Sequence, residues 1–311
     1  MKSNFINETH IEGILYDQKL EKKTTGENSK HPGTEFISGT VSIATDDKLE
    51  NVIQIHYTYI TAVTSKGNAD ARFTTLEKIM TENQSVLNVG KEKAIKVRCD
   101  STIDVNEWYR ELTDEKPASV VRNEGGFIHI VNAINEDEKL RNTFKADMVI
   151  TRVRDVEGNP ERNIPESVHV NGCVFNFRKE IRPVEFVVKN KGGMDYFRGL
   201  EPTPKTPVFT CVWGRQLSQT IVTRTVTESA FGEDEVRERN SSVREFVITG
   251  CNRETYEWDD EATITAAELS KAMSDRELYL ASIKKRQEEY QASRGGSSAA
   301  AVSNETSGYD F

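Results

Sequence analysis

Regular alternation of apolar and polar residues is the dominant pattern of this chain between residues 8 and 255. In residues 51–60 it places Ile53, Ile55, Tyr57 and Tyr59 on one side of the backbone. A period of two is typical of strands that bury one face, because successive side chains in a strand point in opposite directions. Similar runs occur over 34–44, 94–99, 126–131, 143–154, 168–177, 183–188, 208–213, 221–226 and 243–248. The sequence therefore predicts a mainly β fold, with one short helix over about 74–82.

An internal repeat refines this prediction. Residues 10–17 match residues 169–176 in residue type at nearly every position, and both copies carry a glycine in mid-strand, Gly13 and Gly172. Two related β-modules in tandem explain the repeat, while chance similarity within a β-rich chain is the alternative. A first strand that bends at a glycine is what a small five-stranded barrel requires, so we interpret both copies as first strands. We therefore expect two tandem OB-like barrels, with flat sandwiches as the other reading of the pattern.

A change in composition separates the two modules. Residues 156–166 concentrate Pro, Gly and Asn, which is typical of a linker. The first OB-like module, with its short helix, is therefore expected over residues 1–155. The second is expected over residues 165–258.

The C-terminal part has a different character. Thr265 with Glu268, and Ser274 with Glu277, have the spacing of capping boxes, so we expect a helical extension over residues 263–292. Residues 293–311 are rich in Gly, Ser and Ala and lack apolar periodicity, which predicts a flexible, disordered tail. The tail ends in Tyr309, Asp310 and Phe311.

Charge is unevenly distributed along the chain. There are 41 Lys and Arg residues against 50 Asp and Glu residues, a formal net charge of −9. Residues 254–311 hold 12 acidic and 6 basic residues, which leaves a net charge of only −3 on residues 1–253. A nearly balanced body can carry a local basic groove, so the acidic total does not exclude a nucleic-acid partner.

Targeting and redox features are few. No apolar stretch approaches the roughly 18 residues that a membrane span needs, and no secretory signal precedes the first predicted strand. The four cysteines are too widely spaced for a metal knuckle and too few for a disulfide framework. We therefore expect reduced cysteines, no membrane partner and a cytoplasmic location. The oligomeric state is left open.

Motifs of catalysis are not found in the sequence. It has no phosphate-binding loop, no dinucleotide-binding turn and no zinc-protease or serine-hydrolase motif. The run Glu257, Asp259, Asp260 and Glu261 could hold a divalent metal for phosphodiester hydrolysis. It reads more simply as a solvated acidic run before a helix, where negative charge is favourable. We therefore expect no cofactor, no bound metal and no enzymatic activity.

Basic residues next to aromatic residues occur in several predicted strands and in the loop that follows Tyr16. A cationic groove that follows phosphates and aromatic rings that stack on bases together bind single-stranded nucleic acid. Tyr57, Phe36 and Phe175 alternate with other apolar residues and could equally fill a core. The candidate nucleic-acid-binding residues are Tyr16, Lys19, Lys22, Lys23, Lys30, His56, Tyr57, Tyr59, Arg72, Lys96, Arg98, Arg152, Arg154, Phe175, Phe177, Arg178, Lys179, Arg182, Trp213 and Arg215.

With these features the sequence resembles the single-stranded DNA-binding proteins of bacteriophages and bacteria. In that family an OB-fold precedes a flexible acidic tail that ends in Phe. The resemblance rests on Gly13 and Gly172, on the basic loop after Tyr16 and on the ending Gly-Tyr-Asp-Phe. It implies a protein that coats single-stranded DNA during phage DNA replication or recombination, in the host cytoplasm. It also implies that Tyr309, Asp310 and Phe311 recruit replication or recombination proteins.

Two other classes of function remain compatible with the sequence. Tandem β-modules with a helical arm also suit a virion structural or assembly protein. The carboxylate run near Asp259 also suits a metal-dependent nuclease.

Overall fold

The computed structural model describes residues 5–27, 29–64, 66–158, 165–227, 231, 235–258 and 263–293. Within these ranges the side chains of 219–227, 235–243, 292 and 293 are not described. The strands are β1 Asn7–Thr24, β2 Glu35–Ala44, β3 Val52–Thr61, β4 Lys96–Trp108, β5 Ala118–Val131, β6 Asn142–Val156, β7 Ser167–Phe175, β8 Ile181–Val188, β9 Val208–Thr227 and β10 Glu235–Cys251. The α-helices are α1 Ala71–Glu82, α2 Val86–Val89, α3 Lys191–Gly199 and α4 Ala266–Ser293, and a 3₁₀ turn covers Glu138–Leu140.

The fold is mainly β, and a helix follows the last strand, so both of these predictions are confirmed. The predicted short helix corresponds to α1, which begins three residues earlier than expected. Asp70 caps it by accepting a hydrogen bond from the backbone N–H of Arg72. The capping box before α4 is also present, because the Glu268 side chain accepts from the Thr265 N–H and the Thr265 hydroxyl accepts from the Glu268 N–H.

The first five strands pair in a closed circuit. β1 pairs antiparallel with β2 and β4, β2 with β3, and β4 with β5, while β3 and β5 are parallel. The helix α1 lies between β3 and β4 in the chain. We call β1 to β5 with α1 and α2 the first group. Its core contains Ile11, Leu15, Ile55 and Tyr57 from the strands and Leu76 from α1.

The remaining five strands repeat this circuit. β6 pairs antiparallel with β7 and β9, β7 with β8, and β9 with β10, while β8 and β10 are parallel. The helix α3 again lies between the third and fourth strands. We call β6 to β10 with α3 the second group. Its core contains Phe144, Val170, Phe186, Phe197 and Phe246.

The two groups are joined through β1 and β6, which pair from Asn7 with Ala146 to Ile11 with Asn142. All ten strands therefore belong to one sheet. The sequence prediction assigned residues 142–155 to the first module. In the structure this stretch is β6, the first strand of the second group.

The two copies of the repeat do not occupy equivalent strands. Residues 10–17 lie in the first strand of the first group, whereas residues 169–176 lie mostly in β7, the second strand of the second group. A Cβ at Gly172 would collide with the Val149 carbonyl of β6, as one at Gly39 would with the Lys19 carbonyl of β1. The structural counterpart of Gly172 is therefore Gly39 of β2, and the prediction of two equivalent first strands is wrong.

The helix α4 contacts both groups. Leu269 and Ala272 pack against Cys173 and Phe175 of β7. Further along the helix, the Gln287 side chain donates to the Tyr109 carbonyl at 2.7 Å, just after β4.

Within the described ranges, no helix combines the length and apolar character needed to cross a membrane.

Candidate nucleic-acid interface

A β-bulge in β3 sets the direction of its last side chains. Gly39 pairs with Tyr57 whereas Ile37 pairs with Ile60, so β3 has one residue more than β2 between these two pairs. The extra residue keeps Ile60 in the core and leaves Tyr59 exposed to 37%. Bulges are used near functional sites to redirect a side chain in this manner.

Tyr59 forms an aromatic pair with Phe36 of β2. Their ring centroids are 4.7 Å apart and the rings are inclined by 42°. Phe36 is half-buried, and its neighbour Ile37 is fully buried in the core of the first group. Part of the aromatic pair therefore remains accessible on the outer side of β2 and β3.

Two lysines of β1 lie in register with this part of β2. Lys23 pairs with Phe36, and Lys19 pairs with Thr40. Lys23 forms an ion pair with Glu21 at 3.0 Å. Lys19 is exposed and forms no ion pair with any residue that the structure describes. We call the outward-facing residues Lys19, Lys23, Phe36, His56 and Tyr59 the Phe36–Tyr59 surface.

His56 brings a neutral ring to this surface. Burial, with the nearby guanidinium groups of Arg122 and Arg244, lowers the pKa of His56 to about 4. The imidazole is therefore uncharged at neutral pH and adds no attraction for a phosphate. Arg122 forms an ion pair with Glu124 at 2.7 Å, so its charge is compensated within β5.

Lys22 has a structural role. Its Nζ lies 3.1 Å from carboxylate oxygens of Glu35 and of Glu77, and 5.5 Å from the ring centroid of Phe73. The hydrogen bonds to the two carboxylates raise the pKa of Lys22. Because these contacts hold the end of β1 against β2 and α1, Lys22 is less available for a ligand than Lys19. Lys30 is exposed in the loop between β1 and β2.

Arg72 lies beside an aromatic residue that the sequence analysis did not single out. Its guanidinium carbon is 5.4 Å from the ring centroid of Phe127, which is 57% exposed on β5. Arg72 also forms an ion pair with Asp70 at 2.5 Å. The side-chain hydrogen bond from Arg72 lowers the pKa of Asp70. The charge of Arg72 is thus shared with a carboxylate.

Three other predicted residues of the first group lie outside the Phe36–Tyr59 surface. Lys96 and Arg98 are exposed on β4, where Arg98 is in register with Glu12 and His129. Because β4 is not adjacent to β2 or β3, these cations belong to another part of the circuit. Tyr16 is half-buried at a register shift in β1.

Tyr57 and Phe175 are core residues, exposed to only 2% and 1%. The Tyr57 hydroxyl lies 3.3 Å from the Sγ of Cys99, and the Phe175 ring stacks on Phe5 with centroids 4.2 Å apart. Neither ring presents a face on which a base could stack. The structure therefore contradicts their assignment to a nucleic-acid surface.

Two predicted arginines of the second group are engaged in ion pairs. Arg154 lies 3.0 Å from Glu185, and Arg182 lies 2.5 Å from Asp104. Arg182 is largely buried, and the removal of Asp104 would leave part of its charge uncompensated. Because both cations are already paired with carboxylates, they attract an anionic ligand less than an unpaired cation would.

The turn after β7 brings three predicted residues together. Phe177 is 84% exposed, the Arg178 guanidinium lies 5.2 Å from its ring centroid, and Lys179 adopts a left-handed conformation with φ of 63°. Arg178 and Lys179 border a cavity of about 350 Å³, which Lys271 and Tyr279 of α4 line from the other side. This cluster belongs to the second group, apart from the Phe36–Tyr59 surface.

The last three predicted residues lie on β6 and β9. Arg152 is exposed on β6. Trp213 of β9 is 38% exposed and covers Gly250, where an added Cβ would collide with the indole ring. Arg215 follows two residues later and is in register with Thr143. None of these residues lies on the strands that carry the Phe36–Tyr59 surface.

Other predicted features lie outside the described residues. These are Tyr309, Asp310 and Phe311 of the tail, and Asp259, Asp260 and Glu261 of the carboxylate run. Among the residues that the structure does describe, no group of three or more His, Cys, Asp or Glu side chains could hold a metal ion.

The alternation over residues 34–44 was interpreted as leaving open whether Phe36 fills the core or lies at the surface. Val41 and Ile43 point into the core, and counting back by two from them reaches Ile37. The period of two therefore places Phe36 on the opposite, outer side. For Tyr59 there was no such signal, because a bulge is not visible in the pattern of one strand.

No curated protein matches the chain. Among solved structures, a deletion variant of the single-stranded DNA-binding protein from Thermus aquaticus aligns with a TM-score of 0.44 and 12% identity, covering 83% of this chain and 99% of that chain. A family described as YorF matches residues 6–286. Because this match extends over most of the chain, the chain belongs to the YorF family.

Proposed function

We propose that this protein binds single-stranded DNA through the Phe36–Tyr59 surface, without enzymatic activity. The observation that carries the proposal is the accessible aromatic pair of Phe36 and Tyr59, in which Phe36 is in register with Lys23 of β1. Each base stacked on an aromatic ring contributes about 1–3 kcal/mol, and lysines beside the rings attract the phosphates. Stacking of this kind needs unpaired bases, which favours single strands over duplexes.

We also propose that each group of strands is an OB-like barrel. The closed circuits of five strands, with a helix between the third and fourth, support this reading. OB-folds bind oligonucleotides on the face of their second and third strands and with the loops after the first and fourth. Phe36 and Tyr59 lie on β2 and β3, and Lys30 lies in the loop after β1. With β6 as the first strand of the second barrel, the boundary between the modules falls between β5 and β6.

The biological role that we propose follows from the resemblance noted in the sequence. The protein would coat single-stranded DNA during phage DNA replication or recombination, in the cytoplasm of the host. Its C-terminal tip, Tyr309 to Phe311, would recruit replication or recombination proteins. Deleting residues 307–311 should then leave DNA affinity equal or higher and remove a partner interaction. A clear drop in DNA affinity would contradict this role for the tip.

The binding proposal is tested by fluorescence anisotropy with labelled oligo-dT and with a duplex of the same length, at several salt concentrations. We expect tighter binding to the single strand, and log affinity that falls with log salt by about 0.7 per phosphate contact. Absence of binding at ~20 mM salt would refute the proposal. Equal affinity for the duplex would refute the stacking mechanism. Degradation of the oligonucleotide on addition of magnesium would instead establish a nuclease.

A further inference from the structure

The base of the β9–β10 hairpin lies against the first group. Gln216 of β9 and Asn123 of β5 exchange two hydrogen bonds between their side-chain amides, at 2.8 and 3.0 Å. Both residues are only 4% exposed. The backbone N–H of Ser218 donates to the Asn51 side chain at 2.7 Å. These contacts are buried and specific, so the hairpin has a fixed position relative to β3 and β5.

Arg244 extends from this hairpin onto the outer side of β3. It lies on β10 in register with Ser218, and its Nη2 donates to the Gln54 Oε1 at 2.6 Å. Gln54 and His56 lie two residues apart on β3 and both face outward. The effect of Arg244 on the pKa of His56 reflects the same proximity. An arginine of the second group therefore stands at the edge of the Phe36–Tyr59 surface.

The charge of Arg244 is available to a ligand. Its hydrogen-bond partner Gln54 is neutral, and Arg244 forms no ion pair with any residue in the described ranges. The adjacent Glu245 is held by Lys189 at 2.5 Å. Arg244 is exposed, so its guanidinium can meet a phosphate without disrupting the core.

Arg244 and Lys19 lie at opposite sides of the surface. Lys19 of β1 is in register with Thr40 of β2, which is in register with His56 of β3. Two strand spacings, about 10 Å, therefore separate the backbone of Lys19 from that of His56. An exposed cation is present on each side of this row, one from each group.

We infer that the single-stranded DNA path is a groove shared by both groups of strands, with Arg244 as a phosphate-binding residue contributed by the second. This inference rests on the proposed function of the Phe36–Tyr59 surface. It assigns to the second group a direct part in binding. The buried hydrogen bonds between Asn123 and Gln216 then contribute to binding, because they fix the position from which Arg244 reaches the groove.

Anisotropy titrations of the full chain with oligo-dT test the shared groove. Arg244→Ala should weaken binding and make the salt dependence shallower by about 0.7 in log–log slope, the value for one phosphate contact. The affinity lost between 50 and 200 mM salt should therefore be about 2.5-fold smaller than in the wild type. Arg98→Ala removes an exposed cation of β4 and is the matched control, with wild-type affinity and slope expected.

Arg244→Gln separates binding from local structure. Glutamine can still donate to Gln54 but carries no charge, so it should show the same loss of slope as alanine. Unfolding midpoints of all variants should equal that of the wild type, because Arg244 is exposed. If both Arg244 variants bind with wild-type affinity and slope while Tyr59→Ala weakens binding, the shared groove is refuted and the proposed function stands. If the wild type itself does not bind oligo-dT, both fail.

Discussion

The two groups of strands have the same order of pairing, but their outer sides differ. In the first group, the outer side of the first three strands carries exposed Lys19 and the accessible pair of Phe36 and Tyr59. In the second, β7 carries Cys173 and Phe175, which are buried beneath α4 and the segment before it. Strand pairing therefore provides the same scaffold twice. The side chains on the outer side differ, so the outer side of the first group is exposed whereas that of the second group packs against α4.

Lys19 of the first group and Arg154 of the second differ in their ion pairing. Lys19 is free of ion pairs within the described part of the chain. In the second group Arg154 is paired with Glu185, to which His169 is also bonded at 2.7 Å. Although burial alone would raise the pKa of Glu185, hydrogen bonds from Asn171, His169 and Arg154 lower it. A cation that is already paired with a carboxylate attracts a phosphate less strongly.

The largest effect should come from removing the anchor of α4. Arg276 donates to both carboxylate oxygens of Glu107, which is 3% exposed. Arg276→Ala leaves that carboxylate buried and unpaired, and we expect the free energy of unfolding to fall by about 3–5 kcal/mol. Denaturant unfolding followed by circular dichroism measures this change.

The control for this variant lies on the same helix. Lys285 is exposed and pairs with Glu289 at 3.8 Å, so Lys285→Ala should cost only about 0.3–0.5 kcal/mol. An equally small cost for Arg276→Ala would mean that the ion pair with Glu107 of β4 does not hold α4 in place. The covering of the outer side of the second group by α4 would then not depend on this ion pair.

The next effect is a loss of folding stability at acidic pH. The pKa of His56 is about 4 in the folded chain and about 6.5 when unfolded, so the unfolded chain binds more protons between these values. Stability should therefore be complete above pH 6.5 and decline as the pH falls towards 4, by up to about 3 kcal/mol. Arg122 and Arg244 face the imidazole from the two groups, so protonation would place a third cation between them.

His56→Gln tests this coupling between the groups. Plotted against pH, its free energy of unfolding should decline less steeply than that of the wild type between pH 6.5 and 4. At pH 8 the histidine is neutral in both states, so the difference between the two proteins there measures only the substitution itself. If the two curves of unfolding free energy against pH are parallel throughout, His56 is not the group whose protonation destabilises the fold.

A smaller effect is expected on DNA affinity when the open side loses its aromatic residues. Phe36→Ala and Tyr59→Ala should each weaken oligo-dT binding by about 1–3 kcal/mol, or roughly 5- to 150-fold, measured by anisotropy. Phe177→Ala removes an aromatic residue that is still more exposed, but on the second group. It should leave the affinity unchanged. If Phe177→Ala weakened binding while Phe36→Ala and Tyr59→Ala did not, the binding site would lie at the turn after β7.

The sequence allowed the class of fold to be predicted, because strand alternation and capping boxes are local signals. The helix α3 gave no such signal. It contains three glycines and forms because Asn190 caps it and Met194 and Phe197 are buried. The repeat suggested two modules, yet it aligned Gly172 with Gly13, since sequence similarity does not report which strands pair.

The candidate site was less predictable for a physical reason. Whether a basic residue is free depends on partners that are remote in the sequence, as for Arg182 with Asp104 and Lys22 with Glu77. Whether an aromatic residue is exposed depended for Tyr59 on one bulge. Lys19, Tyr59 and Arg72 were named as candidates from residue type and local spacing. Arg244 was not, because its relevance arises from the packing of the second group against the first.

The finest test of the comparison uses two lysines only three residues apart on β1. Lys19 is exposed and free of ion pairs within the described ranges, whereas Lys22 is bonded to Glu35 and Glu77. If free cations of the open side hold phosphates, Lys19→Ala should lower the log–log salt slope of oligo-dT binding by about 0.7, and Lys22→Ala should leave it unchanged. The unfolding midpoint should respond in the opposite order, because only Lys22 bridges β1, β2 and α1. Equal slopes for the two variants would mean that phosphate contacts are spread over the surface without regard to ion pairing, and the distinction between free and engaged cations would not explain which lysines bind.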